Sequence, residues 1–252
     1  MRDEENGYLM KKFMTHLTDR SSLVSGYGEW TKYGENQEIM RCASELIEKV
    51  PTMNRFSLQE AINLLEAILN AVRSDPLGDL LHQLRHYSEW TYHHMISVAL
   101  LSIMGALKLK TLNVAHIGLG ALYHDIGKLY VPLPIIEKQT ALSDSEWALV
   151  KTHCTRGLEL LQPHHMPALC LAIVGQHHER LDGDGYPRGL IGAEINQGAQ
   201  LVMINDCLDA MTAYRPYREP KTVTDGIHEL VQEPQKYPIT MTQLMQSLLF
   251  SK

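Results

Sequence analysis

The sequence predicts an all-α protein, and three observations carry that expectation. Apolar residues recur at spacings of three and four, no convincing run of period-two alternation appears, and Ser-x-x-Glu capping patterns open two of the periodic stretches. At 252 residues the chain can bury a sizeable core in one large domain or in a domain with a small companion.

Residues 1–75 read as an N-terminal helical segment of unassigned role. Within it, Ser57 and Glu60 form a capping box ahead of Leu58, Ile62, Leu65, Leu69 and Val72, which draw one apolar stripe expected to face a shared core. The breaker-rich "SDPLGD", Ser74 to Asp79, marks a soft boundary, and residues 76–252 form the main unit. Helices are expected there near 80–107, 113–126, 144–162, 167–178 and 196–214, with weaker ones near 222–232 and 239–249. "YVPLPIIEKQTALS", with two prolines, is a loop that ends in a second capping box, Ser143 to Glu146.

Composition excludes several classes. The balance of 23 basic against 29 acidic residues, net -6, offers no general attraction to DNA or to an anionic membrane, so an anionic ligand must be drawn by local charge. Cys42, Cys154, Cys170 and Cys207 are scattered without a metal-binding or disulfide spacing and read as buried thiols of a reducing compartment. "MRDEENGYLMKK" has no apolar core for a signal peptide, and the apolar tract from Met95 to Leu109 is too short to span a bilayer, so a cytoplasmic protein is expected.

The ionisable residues fall where the core should be. On the helix near 196–214 the inward series runs Ala199, Val202, Asp206, Asp209, Ala213, which places two carboxylates at apolar positions. On the helix at 113–126 the series Val114, Ile117, Ala121 continues into His124, with Asp125 beside it. His94 shares a face with Val98 and Leu101, while His177 and His178 close the stripe of Leu171 and Val174. Histidines and aspartates converging from several helices need cations to offset their desolvation and repulsion. The eight remaining histidines, among them His93, His164 and His165, are read as exposed or capping. "DGDG" at Asp182 opens like a calcium loop, but Tyr186 and Pro187 then occupy its fifth and sixth positions, which rules that site out.

Three segments, "HDIGK" at His124, "HHERLDGDGYP" at His177 and "NDCLDAMTAYRPYR" at Asn205, resemble the HD-GYP family of bacterial cyclic dinucleotide phosphodiesterases, a branch of the HD metal-dependent phosphohydrolases. The likeness spans approximately residues 80–235. It implies an HD-domain helical bundle in which His94, His124, Asp125 and Asp206 hold one metal, and Asp125 bridges to a second held by His153, His177 and His178. The mixed nitrogen and oxygen donors suit iron or manganese. Some members of the family recruit a third ion through a glutamate where this chain has Trp90; Glu89 and Asp209 are the nearby carboxylates.

What the resemblance implies chemically is attack of a hydroxide, activated by both metals, on the phosphorus of cyclic di-GMP to give pGpG and onward GMP. Lys128 offsets charge on the phosphoryl oxygens, and Asp209 handles a proton or supports a ligand. Tyr186, Arg215 and Arg218 contact the substrate. Two alternatives stand beside this: cyclic GMP-AMP as substrate, and a receptor with little turnover that docks a GGDEF-type cyclase through the Gly-Tyr-Pro loop. A homodimer is a further expectation.

Overall fold

The computed structural model describes residues 34–110, 112–213 and 219–250, and among these the chain is helical with no strand. A lone bridge pairs Asp182 with Ile191. The helices are α1 (Gly34–Lys49), α2 (Arg55–Val72), α3 (Pro76–Tyr87), α4 (Glu89–Leu109), α5 (Val114–Leu122), the short α6 (Leu133–Ile136), α7 (Asp144–Lys151), α8 (His153–Leu161), α9 (Ala168–Gln176), α10 (Gln197–Thr212), α11 (Val223–Gln232) and α12 (Ile239–Leu249).

Helix α4 is the axis of the bundle. Most of its side chains from Thr91 to Ala106 are buried, because α1, α2, α3, α5, α10 and α12 pack around it. It has the length and hydropathy to cross a membrane, but 78% of its apolar window is buried inside the protein, so the bundle interior accounts for its composition. Gly105 lets α10 and α12 approach it: a Cβ there would lie 2.8 Å from Leu201 Cδ1 and 3.0 Å from Met245 Sδ.

The stripe Leu58, Ile62, Leu65, Leu69 and Val72 is buried in the same apolar cluster that holds Leu100, Ile117 and Leu248, so α2 faces the shared core as expected. Its N-terminus differs. The helix starts at Arg55 with Asn54 as the cap, whose side chain accepts from the Ser57 amide at 2.9 Å; Ser57 therefore lies inside the first turn and the expected capping box is displaced by an equally good cap three residues earlier. "SDPLGD" starts a helix rather than breaking one. Asp75 caps α3 and Pro76 occupies its first turn, where a missing N–H costs nothing.

The single helix expected near 80–107 is two, divided at Ser88, whose extended backbone and hydroxyl cap α4 while its amide still closes α3. The helix expected at 144–162 is likewise divided at Thr152 into α7 and α8. Neither break carries a glycine or proline, so periodicity ran across both. The capping box at Ser143 and Glu146 forms as expected, reinforced by Lys138, which donates to both Glu146 oxygens at 2.6 and 2.8 Å. Cys42, Cys154 and Cys170 are buried free thiols; Cys207 is only half-buried, beside Arg180 and Tyr237 at the edge of α10.

Candidate metal centre

Helix α5 ends at Leu122, two residues earlier than the stripe ending in His124 requires, and the chain turns into a 3-10 helix, Ile126–Tyr130. His124 and Asp125 thus stand in the turn and not on the helix. Gly127 fixes its path, since a Cβ there would come within 1.9 Å of the His153 carbonyl oxygen and 2.5 Å of the Gly157 amide. Only glycine permits this contact between the turn and α8, and the contact brings His153 against Asp125.

From the remaining elements, α4 supplies His94, α8 supplies His153 at its first residue, the end of α9 supplies His177 and His178, and α10 supplies Asp206 and Asp209. The structure brings all seven expected ligands together. His94, His124 and Asp206 form one group of donors within 4.8 Å of each other, and Asp125, His153, His177 and His178 form a second. Asp125 joins them: its Oδ2 lies 3.7 Å from His94 Nε2 and 3.5 Å from His124 Nε2, while its Oδ1 lies 3.3 Å from His153 Nε2 and 3.9 Å from His177 Nε2.

Backbone carbonyls orient the rings. His124 Nδ1 donates to Ala121 O at 2.7 Å, His153 Nδ1 to Val150 O at 2.6 Å, and His177 Nδ1 to Val174 O at 3.1 Å. With the proton on Nδ1, each Nε2 presents a lone pair to the interior. Two such lone pairs, on His153 and His177, stand 3.2 Å apart, and Asp125 Oδ1 adds a third acceptor. His124 Nε2 and Asp125 Oδ1 are buried with no hydrogen-bond partner among the described residues. Converging acceptors of this kind repel one another unless a cation lies among them, so the donor set fits divalent metal ions.

Burial pushes His153 down to about 4 and His177 to about 3, and it holds His178 well below the usual imidazole range, which keeps these rings neutral and ready to ligate. Burial alone would raise Asp125, but Lys128, His124 and His153 outweigh it and hold the carboxyl well below the carboxylate range. Lys128, from the 3-10 helix, donates to Asp125 Oδ2 at 2.5 Å. His94 differs from the other rings. Desolvation would lower it, yet its bonds to Asp206 at 3.0 Å and Asp209 at 2.7 Å raise it to about 9. Asp209 accepts from His94 Nδ1, so it acts through His94 and orients that ring. Glu89 stands apart, on the surface 3.7 Å from Arg41, and among the described residues neither it nor Asp209 belongs to a group of prospective ligands. Trp90 stacks on His94 with centroids 5.6 Å apart.

Tyr186 stacks on His178 at 4.7 Å and meets His153 edge-on at 6.2 Å, with its phenol kept protonated by burial. The loop that presents it has a support not anticipated from the sequence. Glu179 is fully buried and accepts from the Arg188 amide at 2.8 Å and the Leu190 amide at 2.9 Å. Its place beside two histidines hid it among prospective ligands. Gly183 takes a positive φ of 87°, whereas Gly185 is required for contact: a Cβ would lie 2.3 Å from the Arg180 amide. "EPQKYP" braces the loop, with Lys236 O accepting from Leu181 N at 3.0 Å and Tyr237 lying under the Arg180 guanidinium at 5.1 Å. Arg215 and Arg218 lie outside the described residues.

His93 departs from its expected exposed or capping role. It is half-buried between Glu38, 2.5 Å from its Nδ1, and Glu45, 3.0 Å from its Nε2. The helix that carries both glutamates gave no sequence sign of its partner, because the contact joins residues some fifty positions apart.

The family model for the HD domain matches residues 79–239. A cyclic di-GMP phosphodiesterase of Pseudomonas aeruginosa is 36% identical over 176 residues, covering 68% of this chain and 42% of that protein. One of Thermotoga maritima is 36% identical over 157 residues, covering 60% and 43%. A 3'3'-cGAMP-specific phosphodiesterase of Vibrio cholerae is 33% identical over 235 residues, covering 82% and 54%. The chain thus spans about half the length of the curated relatives it matches. Among solved structures, a HDG"Y"P protein from Bdellovibrio bacteriovorus superposes with a TM-score of 0.58 at 23% identity, over 99% of this chain and 81% of that one. The HD domain of the phosphodiesterase PgpH from L. monocytogenes gives 0.54 at 22%, over 68% and 95%. These two likenesses show the fold.

Proposed function

The chain belongs to the HD-domain family, in the branch that carries the HHE-x-x-DGxGYP motif, and on that premise we propose that it is a metal-dependent phosphodiesterase that hydrolyses cyclic di-GMP to pGpG and onward to GMP. The observation that carries this reading is the placement of Asp125, whose two oxygens face two separate donor groups. That is the arrangement a carboxylate bridging two cations requires.

His94, His124 and Asp206 would hold one ion, and His153, His177 and His178 the other, with iron or manganese the best match to mixed imidazole and carboxylate donors. When bound, the pair of ions supplies Lewis acidity and an acidified water at neutral pH. The protein's own residues do the rest. Lys128 keeps Asp125 ionised, and its partly exposed ammonium is placed to offset charge that develops on the phosphoryl oxygens as the bond to the 3′ oxygen breaks. Tyr186, packed against His178, offers a ring face and a neutral hydroxyl at the rim. Arg215 and Arg218, assigned by motif, supply forked donors for the second phosphate. Asp209 positions His94.

A second reading, cyclic GMP-AMP as the substrate, is favoured by the Vibrio cholerae relative, whose match covers 82% of this chain. The test is anaerobic incubation of iron- or manganese-loaded protein with each cyclic dinucleotide, followed by chromatography of the products. Linear pGpG and GMP from cyclic di-GMP are expected. Turnover of cyclic GMP-AMP alone would replace the first reading with the second, and binding of both without product would leave a receptor.

A further inference from the structure

The contact that holds α1 to the central helix α4 has an unusual composition. Glu38 and Cys42 are one helical turn apart on α1, Glu45 follows on the same face, and all three meet His93 of α4. Glu38 and Cys42 are buried. Around the His93 ring, Glu38 Oε1 lies 2.5 Å from Nδ1, Glu45 Oε2 3.0 Å from Nε2, and Cys42 Sγ 3.4 Å from Nδ1 and 3.6 Å from the His93 carbonyl. Two carboxylates would suffice to pair with an imidazolium. The buried thiol adds a sulfur donor that an ion pair does not use.

We propose that Glu38, Cys42 and His93 form a mononuclear transition-metal site at the Nδ1 side of the His93 ring, separate from the central one, that clamps α1 onto α4, while Glu45 holds the ring from Nε2. One donor atom from each of Glu38, Cys42 and His93 can be chosen so that all lie within 4.8 Å of each other. Three donors of oxygen, sulfur and nitrogen type, with a water in the fourth position, are a set that zinc, or cobalt in its place, takes in tetrahedral coordination. A ligating His93 is a neutral imidazole, so two carboxylates against the guanidinium of Arg41, which is 3.4 Å from Glu45 and 3.9 Å from Glu38, then leave a surplus of negative charge for a cation to neutralise. A cation also has a way in. Glu45 and His93 line an open cavity of about 360 Å³ whose wall includes Glu48, Trp90, His94 and Asp209. Ligation displaces the Cys42 thiol proton to solvent and leaves a metal–thiolate bond. Because His93 is the neighbour of His94, occupancy would fix α4 beside a ligand of the central site.

The test uses the full chain, stripped with chelator and loaded with Co²⁺ alone. A near-ultraviolet thiolate-to-cobalt charge-transfer band is expected, with metal content one ion per chain above that of Cys42→Ser. The Cys42→Ser and His93→Gln proteins should lose the band and that ion, while Asp125→Ala should keep both and lose only ions of the central site. Absence of the band in the unsubstituted protein overturns the proposal without need of any variant. Its persistence in Cys42→Ser overturns it equally. A band lost in Asp125→Ala would assign the thiolate signal to Cys154, beside His153, and likewise refute the site.

Discussion

Asp125 shows how one side chain can govern the whole site. Its carboxyl is buried, held ionised by Lys128 and shared between two donor groups, so Asp125→Ala should remove ions from both. Metal content measured after loading should fall from two central ions to fewer than one, and hydrolysis should drop by about a thousandfold or more, in line with loss of metal activation. Normal turnover by this variant would sink the binuclear reading. Gly185 tests the loop in the same way. Gly185→Ala forces a methyl group into the Glu179 and Arg180 backbone, and a chemical-denaturation midpoint should register a loss of about 2–3 kcal/mol, or else Tyr186 should leave His178. The glycine was legible in the motif, but its reason was not: the sequence suggests a turn, and the structure shows close contact between two strands of backbone that are several residues apart.

At the scale of elements, α2 was legible from its apolar stripe, Leu58 to Val72, although its cap is Asn54 and not Ser57, and α7 was legible from its capping box at Ser143. The breaks at Ser88 and Thr152 were not, because both keep the apolar spacing in phase and use only a hydroxyl residue to divide it. Ser88 accepts from the Thr91 amide and is nearly fully buried, so Ser88→Ala should cost about 1 kcal/mol of stability, read as a modest fall in melting temperature. That break has a consequence for the site. It sets the direction of α4, which carries His93 to the α1 face and His94 to the centre.

For the molecule as a whole, the metal-free protein should show a pH optimum of stability set by two opposed groups. His153 and His177 are held near 4 and 3, below their unfolded value of about 6.5, so the unfolded chain binds more protons in that window and stability falls as the pH drops from about 6.5 towards 4. His94 is raised to about 9, so its contribution is present below about 6.5 and is lost as the pH rises through 9. Thermal melts of chelator-treated protein across that range should therefore peak near neutrality. A profile flat from pH 7 down to 4 would show that the buried rings are not held neutral by the fold.

The sequence by itself determined the all-α class and the run of amphipathic helices, because periodicity is a property of short segments that survives without knowledge of the partner, and its resemblance to the HD-GYP family picked out the seven polar residues that meet at the centre. Only the tertiary structure decided that α1 and α2 share one core with the rest, that Asp209 serves His94, that Glu179 is a structural anchor, and that His93 meets Glu38 and Cys42. Each of these joins residues through packing and not through spacing along the chain. A buried polar side chain takes its meaning from the groups that desolvate and pair with it, and those groups are fixed only when the helices close around α4.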